Sequence, residues 1–86
     1  MSIKYVLCEA INNNLMFPLF FDNKEDAISE MADDYVSIRR SEDEELRTIE
    51  DDEIIADSGI DFSSESVMYI SNNEDVYSWE IFEVEF

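Results

Sequence analysis

Histidine is absent from this chain of 86 residues. That removes Ser–His and Cys–His nucleophilic pairs, imidazole acid–base chemistry and the commonest zinc ligand. Glycine occurs once, at Gly59, and a single glycine cannot build a phosphate-cradling loop. The lone cysteine, Cys8, has no internal partner for a disulfide and no second thiol for a zinc site. It stands in an apolar stretch with little positive charge nearby to stabilise a thiolate, which favours a buried structural role over a nucleophile. One proline and one glycine are too few for a low-complexity linker. The apolar run Leu15 to Phe21 is far too short to cross a bilayer and contains Pro18. No charged leader with a sustained apolar stretch and a small-residue cleavage site opens the sequence, so a reducing cytoplasm is the expected compartment.

Positive charge is scarce as well. Five Lys and Arg stand against 23 Asp and Glu, a net charge of −18 at neutral pH. A domain of this length has an expected diameter of roughly 30 Å. Eighteen net charges along it correspond to about one per 1.7 Å, the linear charge density of duplex DNA. Anionic membranes would repel such a molecule, and so would DNA or RNA. A composition 45% hydrophobic and 13% aromatic excludes a disordered acidic tail, and a single folded domain over residues 1–86 is expected. The charge is uneven. Residues 1–21 hold one base and one acid, residues 22–57 hold 15 acids and four bases, and residues 58–86 hold seven acids and no base.

Ile3 to Cys8 is apolar on both alternating phases apart from Lys4, the pattern of a central strand. Asn12-Asn13-Asn14 is a turn signal, and Leu15 to Phe21 follows as a strand that Pro18 confines to an edge or a bulge. Asp22 is placed to cap a helix over 23–39, accepting from the Glu25 N–H. Ala27, Ile28, Met31, Ala32, Tyr35, Val36 and Ile38 give that helix an apolar stripe, with Asp26, Glu30 and Asp33 opposite and Asp34 beside them. Residues 41–59 suggest one or two short helical turns, with Gly59 at a helix end or a turn of positive φ. Ser66 to Ser71 and Val76 to Phe86 flank a turn-rich tetrapeptide and read as a second hairpin. In the last strand Phe82, Val84 and Phe86 alternate with Glu83 and Glu85, an apolar-in, acid-out pattern, while Tyr77, Trp79 and Ile81 occupy the opposite phase, which suggests a bulge or a strand covered on both sides. The expected fold class is α+β: a small antiparallel sheet of about four strands with one long helix on one face, in the order β-β-α-(irregular)-β-β.

Phe21-Asp22-Asn23-Lys24-Glu25-Asp26-Ala27 at the helix start and Tyr77-Ser78-Trp79-Glu80-Ile81-Phe82-Glu83 in the last strand carry a resemblance. The chain resembles a loose family of short uncharacterised proteins from Gram-positive bacteria and their phages. That likeness covers about two thirds of the sequence and implies the fold rather than an activity. By size and charge alone, the chain is also similar to DNA-mimicking phage anti-defence inhibitors of the anti-CRISPR type.

Enzymatic chemistry has no support in these residues, and neither catalytic residues nor cofactors are expected. The run Glu50–Glu53 and the segment Asp57-Ser58-Gly59-Ile60-Asp61 with Glu65 are the candidates for calcium or magnesium, and the second loosely follows a calcium loop. It lacks the one-three-five acid ladder with glycine at position six, so no dedicated metal site is expected. The acids themselves are the candidate site. A solvated surface needs a net charge of only about 2–8 in a domain of this size, and like charges three or four residues apart weaken a helix by about 0.2–0.5 kcal/mol per pair. An excess that costs stability points to a positively charged target. The candidate partner-binding residues are Asp26, Glu30, Asp33 and Asp34 on the helix, then Glu42, Asp43, Glu44 and Glu45, then Glu50, Asp51, Asp52 and Glu53. Tyr35 or Tyr77 is the candidate for an aromatic anchor at their rim. The expected function is that of a phage-encoded monomeric inhibitor filling the basic nucleic-acid groove of a defence nuclease such as a CRISPR effector. The alternatives are an immunity protein or antitoxin that neutralises a basic nuclease toxin, and a small phage structural or regulatory protein without inhibitory activity.

Overall fold

The computed structural model describes residues 2–85. Strand β1 (Ile3–Ile11) turns into β2 (Asn14–Leu15), and β3 (Leu19–Phe21) follows. Asn12 and Asn13 both have positive φ, 51° and 71°. Two successive positive-φ residues give the tight turn whose twist matches a two-residue hairpin, and asparagine tolerates that conformation. Asn12 also ties the two turns at this end of the sheet. Its Oδ1 accepts from the Val76 N–H at 2.8 Å and its Nδ2 donates to Asp75 at 3.0 Å. Both β2 and β3 pair with the same edge of β1, Leu15 opposite Ala10 and Phe20 opposite Val6. Met16–Pro18 separates them, since proline has no N–H for the ladder. The expected second strand is thus two short ones, and the sheet has five strands rather than four.

Helix α1 (Lys24–Glu42) is the long helix of the fold. Its cap is Asn23, whose Oδ1 accepts from the Asp26 N–H at 2.9 Å. Asp22, expected in that role, is drawn away into an ion pair with Lys4 of β1. Either residue type caps a helix, and the long-range pairing decides between them. At the other end α1 continues three residues past the expected boundary. Arg39 and Arg40 lie in its last turn, where positive charge suits the helix dipole. A 3₁₀ turn (Glu44–Thr48), helix α2 (Asp51–Ser58) and a second 3₁₀ turn (Phe62–Ser64) fill the stretch that the sequence leaves least legible. Gly59 ends α2 at φ +68°, the left-handed conformation a C-cap glycine supplies without strain.

Strands β4 (Ser66–Ile70) and β5 (Val76–Glu85) complete the sheet. All pairings are antiparallel, in the order β2–β1–β5–β4 with β3 also on the free edge of β1. The central pair runs from Ile3 opposite Glu85 to Ile11 opposite Tyr77. The helices cover one sheet face. Leu7, Val67, Trp79 and Ile81 from the sheet pack there against Ala27, Met31, Tyr35 and Val36 of α1, Ile54 of α2, and Phe62. This reverses the expected phase of β5. Tyr77, Trp79 and Ile81 face the helices, whereas Phe82 points to the other side and is 47% exposed. Glu83 and Glu85 share the Trp79 phase but sit exposed at the strand end; Phe86 lies outside the described residues. The molecule measures 46 × 26 × 18 Å, longer than the expected sphere.

Candidate functional site

The acids of residues 26–53 all lie in the helical layer, but not as one cluster. A 19-residue helix is about 28 Å long at 1.5 Å per residue. Asp26, Glu30 and Asp33 occupy its first half, and the 42–53 acids follow its far end, so together they form a strip along the layer. Asp26, Asp33, Glu44, Glu45, Glu50, Asp51, Asp52 and Glu53 are exposed; Glu30, Asp34, Glu42 and Asp43 are half-buried. With 18 net charges over a 46 Å long axis, the spacing is about one per 2.6 Å. That is sparser than duplex DNA and denser than a single strand at about 3.4 Å.

Several of these carboxylates already have work inside the fold. Glu42 accepts from the Tyr69 hydroxyl at 2.7 Å and lies 4.0 Å from Arg39. Asp43 caps the first 3₁₀ turn, accepting from the Glu45 N–H at 3.0 Å. Asp51 pairs with Arg40 at 2.5 Å, and in the first turn of α2 it also meets the positive end of the helix dipole. Asp26 accepts from Asn23 Nδ2 at 3.1 Å. Asp33, Glu44, Glu45, Glu50, Asp52 and Glu53 make no side-chain hydrogen bond or ion pair among the described residues. They are the part of the strip left for a partner.

The few bases explain why the field stays unneutralised. Lys4 pairs with Asp22, and Lys24 pairs with Glu65, which holds the Lys24 ammonium above its ordinary pKa. Arg39 donates to the Tyr69 hydroxyl at 2.9 Å and lies over that ring at 5.6 Å from its centre. Arg40 donates to the carbonyls of Leu46 and Ile49 at 3.3 and 2.7 Å. Each of these four bases joins two segments of the chain. Among the described residues only Arg47 forms no ion pair.

Asp34 departs furthest from its expected place. It sits at the edge of the apolar stripe of α1 and turns toward β1, where Glu9 projects from the helix-side face opposite Trp79. Burial raises the Glu9 carboxyl above its ordinary pKa, and the Asp34 charge, a hydrogen bond shared with Asp34 and the charge of Glu30 add to the rise. Asp34 is raised by burial too, against the opposing influence of Trp79 and Glu9. The Trp79 Nε1–H is fully buried without an acceptor in hydrogen-bond geometry, although Asp34 lies against the indole. The two carboxyls are half-buried between helix and sheet and face each other rather than the outer strip. The candidate aromatic anchors are packed against other rings. Tyr35 is 3% exposed between Phe62 and Tyr69, with ring centres 5.5 and 5.3 Å away. Tyr77 is half-buried and stacks on Trp79 at 6.2 Å.

Among the described residues no group of three or more Cys, Asp or Glu side chains converges as metal ligands would, and no helix is long and apolar enough to cross a membrane. Asp57, weighed in the sequence only as part of the calcium-like segment, is an exposed acid of the same layer that the partner-binding set left out. Sequence reasoning passed over the apolar outer face of the sheet as well. Comparisons with family models, curated proteins and solved structures return no match, so the reading of the site rests on its geometry and charge.

Proposed function

We propose that this chain is a binding protein rather than an enzyme. In this reading it acts as an acidic inhibitor whose helical layer occupies the basic nucleic-acid groove of a host defence nuclease, as an anti-CRISPR protein of the nucleic-acid-mimic kind would. It would be phage-encoded and work in the host cytoplasm. The observation that carries the reading is the strip of unpartnered carboxylates Asp33, Glu44, Glu45, Glu50, Asp52 and Glu53 on a chain of net charge −18. Arg and Lys that pair with phosphates would pair with these groups, and long-range attraction would speed association and make it salt-sensitive.

A competition assay tests this. A guide-loaded CRISPR effector is titrated with the protein, and displacement of its target DNA is followed at low and high salt. The expected result is displacement that weakens steeply with salt. The triple change Asp33→Asn, Glu44→Gln, Glu45→Gln should slow association at least about tenfold, while Glu83→Gln with Glu85→Gln should leave it unchanged. Loss of displacement in the Glu83, Glu85 variant alone would move the interface to the end of the sheet. No displacement from any effector would reject the mimicry.

A further inference from the structure

The face of the sheet turned away from the helices is apolar and uncovered. Leu15, Phe20, Met68, Ile70 and Phe82 share that face by register, with exposures of 47–80%, and Phe17 at its rim is 93% exposed. A fully exposed side chain of this size presents on the order of 200 Å². The five therefore offer about 600 Å², and about 800 Å² with Phe17. The largest apolar patch on a typical monomer is about 300–600 Å², whereas one side of a stable interface is about 800 Å². Between Leu15 and Phe82 lies a hollow of about 360 Å³ floored by Cys8 and Ala10, where the edge strand is interrupted. The face therefore carries both a hole and, in Leu15 and Phe17, projecting knobs.

We infer that this face is the interface of a homodimer, in which the sheets of two copies pack against each other. It replaces the monomer expected from charge alone. By strand phase, the charged side chains on the face among the described strands are Lys4 and Glu80, with Asp22 paired to Lys4 at its edge, so it carries little net charge on a chain of −18. Two such anions can approach closely through no other broad surface. The hollow and the projecting Leu15 and Phe17 lie beside each other on one copy, and a two-fold axis can set the knob of each copy into the hollow of the other, as a self-complementary interface requires. Packed sheets lie about 10 Å apart, with a helical layer about 10 Å behind each, so the acidic strips of the two copies are roughly 30 Å from one another. The screening length at physiological salt is about 8 Å, and the repulsion between strips is largely lost. A lipid surface does not fit this face, because anionic headgroups would repel the rest of the molecule.

Sedimentation equilibrium of the intact chain at about 0.15 M salt decides the matter. The expected mass is twice the 10.1 kDa of the chain, with association tightening as salt is added. Phe82→Glu with Met68→Glu should raise the dimer dissociation constant at least about a hundredfold, with circular dichroism unchanged. Leu15→Glu, at an 80% exposed side chain that no fold contact needs, should raise it about tenfold. A mass of 10.1 kDa at every concentration overturns the dimer. So does a dimer indifferent to these substitutions, which would place the contact at the free edge of β4. A monomer that instead loses nuclease binding on Phe82→Glu would assign the face to the target.

Discussion

The two broad sides of this protein are built from the same strands and helices yet obey opposite rules. On the helix side, Leu7, Val67, Trp79 and Ile81 of the sheet are buried against the helices, and most of the acids lie on the outer rim of the helical layer. On the other side, the same alternation delivers Phe20, Met68, Ile70 and Phe82 to water with almost no charge around them. One helix pair can cover one sheet face, and this chain has no second layer. In the reading proposed above, the charge on one side would steer the molecule toward positive surfaces, while the bare side would supply contact area. A molecule divided in this way should respond oppositely to salt at its two faces: added salt weakens binding by the acids and strengthens contact through the sheet.

Substitution of large groups on the two sides should break the comparison most sharply. Trp79 has no exposed surface and ends the aromatic run Phe62–Tyr35–Tyr69–Tyr77–Trp79. Trp79→Ala should cost about 3–5 kcal/mol of stability, enough to unfold much of a small domain. Phe82→Ser, three residues on but in the opposite phase, should cost less than about 1.5 kcal/mol under conditions where the chain is monomeric, since Phe82 keeps nearly half its surface in water. Urea denaturation of both variants checks this. Equal losses would mean that the outer face is as well packed as the inner one.

A smaller effect separates two arginines. Arg40 holds the 3₁₀ turn and the start of α2 onto α1 through the Leu46 and Ile49 carbonyls and Asp51. Arg40→Ala should destabilise by about 1–2 kcal/mol, because bonds from a charged donor to two carbonyls are lost together. Arg47→Ala, exposed and without an ion pair among the described residues, should stay within about 0.5 kcal/mol. Thermal melts of the two proteins compare them directly. A cost at Arg47 that equals the cost at Arg40 would mean that general charge balance, and not this bracket, stabilises the helical layer.

Much of the fold was legible in the residues, and the exceptions share a cause. The Asn12-Asn13 turn, the α1 stripe and the closing hairpin follow from local pattern, because each is fixed by neighbours within a few positions. The cap passed from Asp22 to Asn23 because Lys4, 18 residues earlier, claimed the aspartate. Asp34, Glu42 and Asp51 left the free acidic strip for similar reasons, each engaged by a group on another element. The phase of β5 was hidden because both of its faces are apolar, and alternation alone cannot say which face a helix will cover. For the site, the strip was readable from charge, but its division into free and engaged carboxylates required the tertiary contacts.

The smallest expected effect lies where the two sides meet, at Glu9 and Asp34. Both carboxyls are raised above their ordinary pKa, Glu9 by burial and then by Asp34 and Glu30, Asp34 by burial. In the unfolded chain neither burial nor this crowding persists, so the folded protein binds more protons across the carboxylate range. Stability from this source is full below the unfolded pKa values and is lost as pH rises through the raised folded ones. The protein should therefore melt higher at mildly acidic pH than at neutrality, and added salt at neutral pH should recover part of the difference. Asp61 acts in the opposite sense, its carboxylate held below the ordinary value by the Ser63 hydroxyl and N–H, but it is fully exposed and adds little. Glu9→Gln keeps the shape and removes the charge, so it should flatten the pH dependence and raise the melting temperature at neutral pH. A change within about 4 °C is expected, since 1 kcal/mol moves a domain of this size by about 4–8 °C and a half-exposed pair is partly screened. If Glu9→Gln leaves the slope intact while Glu30→Gln flattens it, the crowding lies on the outer face of α1, and the acidic strip itself is what makes the fold sensitive to pH.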